Sequence, residues 1–141
     1  MTIRAILASK GSDVLSVGSD DRVSDALAML AEKRIGAVPV IDGGRVVGIF
    51  SERDIIYSLA KSGAAALNAR IGDVMTAPAM TVDPDTPVMS GLSLMTKRRI
   101  RHLPVVQGDA VVGFISIGDL VKYRIDRIEA EAAAMRDYIA S

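Results

Sequence analysis

Residues 46–54 read VVGIFSERD, and residues 111–119 read VVGFISIGD, 65 positions later. Each segment joins a β-branched apolar run to a serine, and an aspartate follows that serine three residues on. Such runs favour a buried strand, and the Ser-x-x-Asp spacing is typical of a helix N-terminus. The two segments therefore predict, twice in one chain, a strand that leads directly into a helix.

The duplication extends upstream at the same offset. It aligns five further pairs: Val17 with Val82, Val23 with Val88, Leu27 with Leu92, Arg34-Ile35 with Arg99-Ile100, and Pro39-Val40 with Pro104-Val105. Two units of this size cannot each bury a large core alone, so we expect them to pack about a pseudo-twofold axis. That packing creates two related clefts, and the repeated serine and aspartate are the best candidates to line them.

The bulk composition excludes several classes of site. The chain of 141 residues is 50% hydrophobic, and its 17 basic and 17 acidic residues give no overall positive charge for nucleic-acid binding. Cysteine is absent and His102 is the single histidine, which excludes disulfides, thiolate nucleophiles and histidine-rich metal centres. No signal-peptide pattern and no run of membrane-spanning length is present. We expect a soluble cytoplasmic protein.

Local patterns predict the order of elements within each repeat. A short helix follows Thr2 and ends near Gly11, and an amphipathic helix begins at Val23 and ends at Gly36. Residues 42–44, Asp-Gly-Gly, favour a tight hairpin turn. The first repeat is expected to contain strands at 14–17, 37–41 and 45–50 and helices from 23 and 52. The second is expected to contain strands at 79–82, 103–106 and 111–115 and helices from 88 and near 116.

The domain organisation follows from the predicted bounds of these strands and helices. We assign residues 1–66 to the first repeat with its N-terminal helix, 67–124 to the second repeat, and 125–141 to a C-terminal helical extension. Residues 63–66, Gly-Ala-Ala-Ala, are expected to form a relaxed connection. Apolar residues in the last helix are spaced 4, 3, 4, 3 and 4 apart, which is a heptad pattern: Val121, Ile125, Ile128, Ala132, Met135 and Ile139. Either this stripe packs on its own domain or it pairs with a partner helix, and we expect at least a homodimer.

The repeated Ser-x-x-Asp segment supports two interpretations. In the first, Ser51 and Asp54 form a capping box that satisfies the free backbone N–H groups of the helix. In the second, the helix N-terminus attracts phosphate, the hydroxyl donates to a phosphate oxygen, and the carboxylate accepts from both hydroxyls of a ribose. The two interpretations are compatible, because the serine can cap while the aspartate faces a cleft.

The doubled pattern of RIGAVPV with VVGIFSERD, and of RIRHLPV with VVGFISIGD, resembles a tandem pair of cystathionine-β-synthase (CBS) domains of the stand-alone bacterial type. The resemblance extends from about Ile6 to Val121. It implies an α/β fold of two β-α-β-β-α repeats, paired through their sheets, with the longer last helix as an extension. It also implies adenosine ligands in the clefts between repeats, with AMP first and ADP, ATP, NAD(H) or S-adenosylmethionine as alternatives.

The resemblance implies a set of binding residues for each cleft. In one cleft Asp54 would hold the ribose beside Ser51, and the other lining residues would be Ala79, Met80 and Ile100 at the base and Arg101 and His102 at the phosphates. In the other cleft Asp119 would hold the ribose beside Ser116, with Leu15, Ile35, Gly36, Ala37 and Lys10 around the ligand.

The two copies differ in charge. Arg101 and His102 align with Gly36 and Ala37, and Arg53 aligns with Gly118. The cleft at Asp54 is therefore expected to be the more cationic one and the better phosphate site. Lys97 and Arg98 are explained better as cations at a helix C-terminus, which complement the helix dipole. His102 fits a packed, hydrogen-bonded residue as well as it fits a phosphate contact.

We therefore expect a regulatory adenosine-nucleotide-binding module that transmits ligand binding to an unknown partner protein. The alternative is a structural dimeric scaffold whose clefts are empty. Catalysis is not expected, because no activated nucleophile and no acid–base pair is recognisable. A nucleic-acid ligand would depend on residues 97–102 alone, which lack interleaved aromatic side chains.

Overall fold

The computed structural model describes residues 1–11 and 13–141 and contains six α-helices and four strands. The helices are α1 (Ile3–Lys10), α2 (Val23–Lys33), α3 (Glu52–Ser62), α4 (Ile71–Val74), α5 (Val88–Arg98) and α6 (Ile117–Ala140). The strands are β1 (Ala37–Asp42), β2 (Arg45–Ser51), β3 (His102–Gln107) and β4 (Ala110–Ser116). Each repeat is a helix, an antiparallel hairpin and a second helix, and the predicted α/β class is confirmed.

The two hairpins have the same register, which confirms the predicted strand pairs. Ala37 lies opposite Ser51 in the first, and His102 lies opposite Ser116 in the second. The turn between β1 and β2 places Gly43 and Gly44 at φ values of 58° and 79°, a region that glycine enters without steric cost. This register fixes which residues stand beside each Ser-x-x-Asp segment.

The predicted strands at 14–17 and 79–82 are wrong in length. Val17 and Val82 each form a single parallel bridge, to Val40 and Val105 respectively. The N–H of Val17 donates to the carbonyl of Pro39 at 3.2 Å, and the N–H of Ile41 donates back to Val17 at 2.8 Å. Because a proline offers no N–H, this edge of the hairpin cannot continue as a regular ladder.

The core consists of two apolar clusters, one in each repeat. The first contains Val17, Val23, Ala26, Leu30, Val38, Val40, Phe50, Ile55 and Ile71. The second contains Ile3, Ile6, Val82, Val88, Met95, Leu103, Val105, Ile115 and Leu120. The N-terminal helix, which the sequence groups with the first repeat, thus packs in the core of the second.

This exchange has a counterpart at the other end of the first repeat. Ile71, on the short helix that leads into the second repeat, lies in the core of the first. The segment that precedes each repeat therefore packs in the core of the opposite repeat, and we call these two segments the crossing segments. The crossing brings Lys10 to the second hairpin and Thr76 to the first.

Two connections differ from the sequence prediction. Residues Gly63–Asn68 form a 3₁₀-helix with Ala66 buried, instead of a relaxed linker. Helix α2 ends at Lys33 and is followed by the C-cap residue Arg34 in the left-handed region, with φ 53°, so it does not continue to Gly36. Helix α5 has the same kind of C-cap at Arg99, with φ 54°. Arginine gives no sequence signal for this conformation, which glycine and asparagine usually adopt.

Helix α6 extends beyond the body of the protein. Its one fully buried residue among those described is Leu120, and Tyr123 is half-buried against the same core. The predicted heptad stripe lies in solvent, with Ile125 49% exposed and Ile139 75% exposed. It therefore does not pack on its own domain. Among the described residues, none of the helices is both long and apolar enough to cross a membrane.

Candidate functional site

Asp54 is held at the junction of β2 and α3 by the capping box that the sequence predicts. Its Oδ2 accepts hydrogen bonds from the Ser51 N–H at 2.9 Å and the Ser51 hydroxyl at 3.2 Å, and its own N–H donates to Ser51 Oγ at 3.4 Å. The residue is only 8% exposed. Capping therefore fixes the orientation of the carboxylate, and the capping interpretation is confirmed.

Thr76 is a second partner of this carboxylate, and it comes from the segment that crosses between repeats. Its hydroxyl donates to Asp54 Oδ1 at 2.9 Å. Ile49 and Thr76 exchange two backbone hydrogen bonds, both 2.9 Å long, which fix this segment against β2. A carboxylate has about four lone-pair positions, so three donors leave capacity for another hydroxyl.

Gly48 makes the close approach of this segment possible. A Cβ at Gly48 would lie 2.8 Å from the Thr76 carbonyl oxygen and 2.7 Å from Met75 Sδ. Any side chain there would push the crossing segment away from β2. The glycine of the repeated VVG motif is thus required by the backbone contact that carries Thr76 to Asp54.

The Asp54 carboxylate borders a cavity of about 320 Å³ between the two repeats. The cavity is lined by Gly36, Ala37, Ile49, Ser51, Glu52, Arg53, Asp54, Tyr57, Thr76, Arg98, Arg99, Ile100, Arg101 and His102. Residues 98–102 come from the end of α5 and the start of β3, and the others come from the first repeat or the crossing segment. We call this space the Asp54 cleft.

The Asp54 cleft is strongly cationic. Four guanidinium groups line it, from Arg53, Arg98, Arg99 and Arg101, whereas Glu52 and Asp54 supply its two carboxylates. Planar guanidinium groups bind phosphate oxygens in bidentate geometry. The cleft therefore combines an acceptor for hydroxyl groups with a concentration of donors suited to phosphate.

His102, the first residue of β3, borders the Asp54 cleft and packs against β4 of the second hairpin. Its ring stacks on Phe114, with ring centroids 5.5 Å apart and planes 11° from parallel. Burial lowers the pKa of His102, and the nearby Lys10 ammonium lowers it further, against the opposing effects of Asp119 and Glu52. The imidazole is therefore neutral at neutral pH, which makes it a hydrogen-bonding group and not a fixed positive charge.

Asp119 occupies the equivalent position in the second repeat but has a different partner. Its Oδ2 accepts from the Ser116 N–H at 2.8 Å and from Lys10 Nζ at 2.6 Å. Lys10 Nζ also donates to the carbonyl of Phe114 at 2.8 Å. Burial alone raises the pKa of Asp119, but the hydrogen bonds from Lys10 and Ser116 outweigh burial and the net pKa is lowered. The partner from the crossing segment is thus an ammonium group on the oxygen that the cap also uses, whereas Thr76 donates a hydroxyl to the other oxygen of Asp54.

The structure brings together most residues predicted for the Asp54 cleft, whereas it separates the residues predicted for the Asp119 cleft. Six predicted residues line the Asp54 cleft as expected: Ser51, Arg53, Asp54, Ile100, Arg101 and His102. Ala79 and Met80 do not line this cavity, and Met80 is 37% exposed. The crossing segment contacts β2 at Thr76, three residues before Ala79, and the contact of Ala79 and Met80 with a base stays a prediction.

Gly36 and Ala37, predicted for the Asp119 cleft, border a different cavity in the structure. They line the Asp54 cleft because Ala37 pairs with Ser51, and the Glu52 N–H donates to the Gly36 carbonyl at 3.0 Å. Ile35 lies in a separate shallow groove with residues of α2 and α3, and Leu15 is 46% exposed. Of the residues predicted for the second cleft, Lys10, Ser116 and Asp119 are joined by hydrogen bonds.

Several lining residues were not predicted from sequence. Thr76 and Tyr57 have no identical residue at the 65-residue offset. Arg98 was interpreted as a cation at a helix C-terminus, and Arg99 only as part of the repeated Arg-Ile pair. Tyr57 lies three residues after Asp54 on α3, so helical spacing alone could have placed it on the same face. The position of Thr76 could not be predicted without knowing that the segment before the second repeat packs against the first hairpin. Among the described residues, no cluster of three or more histidine, aspartate or glutamate side chains could hold a metal ion.

Comparison with known proteins identifies both repeats. The family model for the CBS domain matches residues 4–61 and 71–126. The structure is similar to that of the CBS-domain-containing protein ATU1752 from Agrobacterium tumefaciens, with a TM-score of 0.84 and 38% identity over 88% of this chain and 99% of that one.

Two further similar structures contain ligands. The CBS-domain pair of protein MJ0100, in complex with 5′-methylthioadenosine and S-adenosyl-L-methionine, has a TM-score of 0.79 at 26% identity, over 90% of this chain and 98% of that chain. CBSX2 in complex with AMP has a TM-score of 0.71 at 28% identity, over 81% of this chain and 89% of that chain.

Proposed function

The chain belongs to the CBS-domain family, and from this premise we propose that it is a cytoplasmic regulatory module that binds an adenosine nucleotide in the Asp54 cleft. A ribose hydroxyl donates to the Asp54 carboxylate, and the phosphate groups lie among the arginines. Similar CBS-pair structures hold AMP in one case and methylthioadenosine with S-adenosylmethionine in another, which supports an adenosine ligand.

The observation that carries this proposal is the composition of the Asp54 cleft across two repeats. Its hydroxyl acceptor, Asp54, belongs to the first repeat, whereas Arg98, Arg99 and Arg101 belong to the second. A ligand that contacts both sets favours one relative position of the repeats over others. Such differential affinity is the physical requirement for a ligand to shift a conformational equilibrium that a partner protein can detect.

The size and charge of the cleft favour AMP as the first candidate. A volume of about 320 Å³ lies at the lower end of the range for small-molecule sites. A mononucleotide fits this volume better than the dinucleotide NAD(H) does. The four arginines also suit ADP or ATP, whose further phosphates would extend toward the open rim.

The alternative function is a structural scaffold with empty clefts, and one observation favours it. Both aspartates cap helices, and Asp119 is already paired with Lys10. Helix capping would give both aspartates a structural role in the absence of any ligand. We include no catalytic step, because the polar groups at the Asp54 cleft are guanidinium groups, hydroxyl groups and hydrogen-bonded carboxylates without a paired nucleophile and base.

Isothermal titration calorimetry of the full chain with AMP, ADP, ATP, NADH and S-adenosylmethionine tests the proposal directly. We expect saturable binding of at least one phosphate-containing compound and a higher melting temperature in its presence. Guanosine monophosphate is the matched control for the base. A folded sample that binds none of the adenosine compounds at millimolar concentration would establish the scaffold alternative instead.

A further inference from the structure

The exposed face of α6 carries a continuous apolar stripe, which we call the α6 seam. It consists of Val121, Ile125, Ile128, Ala132, Met135 and Ile139. Its larger side chains are 42% to 75% exposed. Apolar side chains exposed at each turn of an unpaired helix add no stability by burial. Two helices that pack through such a seam remove this apolar surface from water.

The charged residues beside the seam determine what can cover it. In heptad terms Ile125, Ala132 and Ile139 occupy the a positions, and Val121, Ile128 and Met135 the d positions. Arg124 and Glu131 then fall at g, and Glu129 and Arg136 fall at e. The sign of the charge therefore alternates along both flanks of the seam.

This alternation matches a second copy of the same helix in parallel orientation. In a parallel pair, a g residue faces the e residue five positions later on the other helix. Arg124 then faces Glu129 of the second copy, and Glu131 faces Arg136 of the second copy. The twofold axis repeats both contacts, so all the g–e′ pairs formed by these residues join opposite charges.

An antiparallel pair whose seams overlap over their full length places like charges together. There e faces e and g faces g, so Glu129 would meet Glu129 of the second copy and Glu131 would meet Glu131 of the second copy. Like charges in such positions destabilise a coiled coil. Within one chain, Arg127 lies 3.8 Å from Glu131, and because both side chains are largely exposed this ion pair is weak.

We infer that two copies of this chain associate through the α6 seam as a parallel two-helix coiled coil, with both CBS pairs at the same end. The inference does not rest on nucleotide binding. It assigns the partner, the orientation and the charged contacts, all from the pattern of α6.

Sedimentation velocity of the full chain from about 1 to 100 µM tests the association. We expect a concentration-dependent dimer that Ile128→Glu converts to monomer, whereas Ala130→Glu, on the opposite side of the same helix, leaves it unchanged. Ile139→Glu, near the exposed end of α6, repeats the test at a site remote from the body. Circular dichroism confirms that each variant is folded. A monomeric parent chain, or a dimer unaffected by both seam variants, overturns the inference.

A charge exchange tests the orientation. Glu129→Arg places it opposite Arg124 of the second copy, so we expect the dissociation constant to rise about tenfold. The double variant R124E/E129R restores opposite charges in a parallel pair and returns the constant to within about threefold of the parent. Asp137→Arg, the same change on the outer side of α6, is the control. Failure of the double variant to restore affinity rules out the parallel arrangement.

Discussion

Asp54 and Asp119 begin equivalent helices with equivalent capping boxes, yet their remaining partners differ in charge. Thr76 donates a neutral hydroxyl to Asp54, whereas Lys10 donates an ammonium group to Asp119 at 2.6 Å. The neutral partner leaves the negative charge of Asp54 available to a ligand, and the ammonium group neutralises that of Asp119. The comparison shows that duplication preserved the helix caps, while the crossing segments made the two clefts chemically different.

The largest difference between the clefts is expected in nucleotide affinity. Asparagine keeps an oxygen that can accept from the Ser51 N–H, but it replaces the charged acceptor of a ribose hydroxyl by a neutral amide. Since a hydrogen bond to a charged group contributes about 1.5–3 kcal/mol, Asp54→Asn should weaken binding about 100-fold. Asp119→Asn should change it by less than about twofold. Calorimetry of both variants measures this difference, and equal losses would show that the clefts are equivalent.

A second comparison concerns the glycine that precedes each Ser-x-x-Asp segment. Gly48→Ala brings Cβ against the backbone carbonyl of Thr76, which cannot move without breaking the contact between segment and strand. Gly113→Ala meets the end of the Leu7 side chain, which can rotate away. We expect losses in unfolding free energy of about 2 and about 1 kcal/mol respectively. Urea denaturation of both variants gives these values, and a larger loss for Gly113→Ala would contradict the explanation.

The repeat and its hairpins could be predicted from sequence because both depend on local patterns. Ala37 and Ser51 form a pair fixed by a short turn with glycines, and the Ser51–Asp54 spacing itself encodes the cap. The register of this hairpin, in which Ala37 pairs with Ser51, also explains why Gly36 and Ala37 line the Asp54 cleft. Their predicted place in the Asp119 cleft follows from the family resemblance, which does not specify the neighbour within the hairpin.

The crossing segments could not be predicted in this way. Thr76 reaches Asp54 because a backbone bridge forms between residues 27 positions apart, at Ile49, and no local pattern specifies that contact. Likewise, α1 precedes the first repeat but packs in the second core. Only tertiary packing decides such exchanges, so the partners of the two aspartates required the structure.

The helix ends allow a test that separates stability from binding. Arg34 and Arg99 end α2 and α5 with nearly identical left-handed backbones, but of the two only Arg99 lines the Asp54 cleft. Glycine relieves the steric cost at either position, so Arg34→Gly and Arg99→Gly should each raise the unfolding free energy by about 0.5–1 kcal/mol. Only Arg99→Gly should weaken nucleotide binding, by about fivefold. Thermal melts and calorimetry measure the two effects, and weaker binding by Arg34→Gly would contradict this assignment.

The smallest expected effect is the pH dependence of the Lys10–Asp119 pair. Because the pKa of Asp119 is lowered in the folded protein, the pair stabilises the protein above about pH 4, and this contribution is lost as the pH falls through the lowered pKa. Lys10→Met should therefore reduce the unfolding free energy at pH 6 and converge with the parent protein near pH 2. Lys10 is 40% exposed, so solvent screening limits the difference to about 0.5 kcal/mol. Arg4→Met, which removes a more exposed pair from the same helix, is the control, and urea titrations at several pH values provide the measurement. A difference that persists unchanged at pH 2 would mean that Lys10 stabilises the protein by packing instead of by charge.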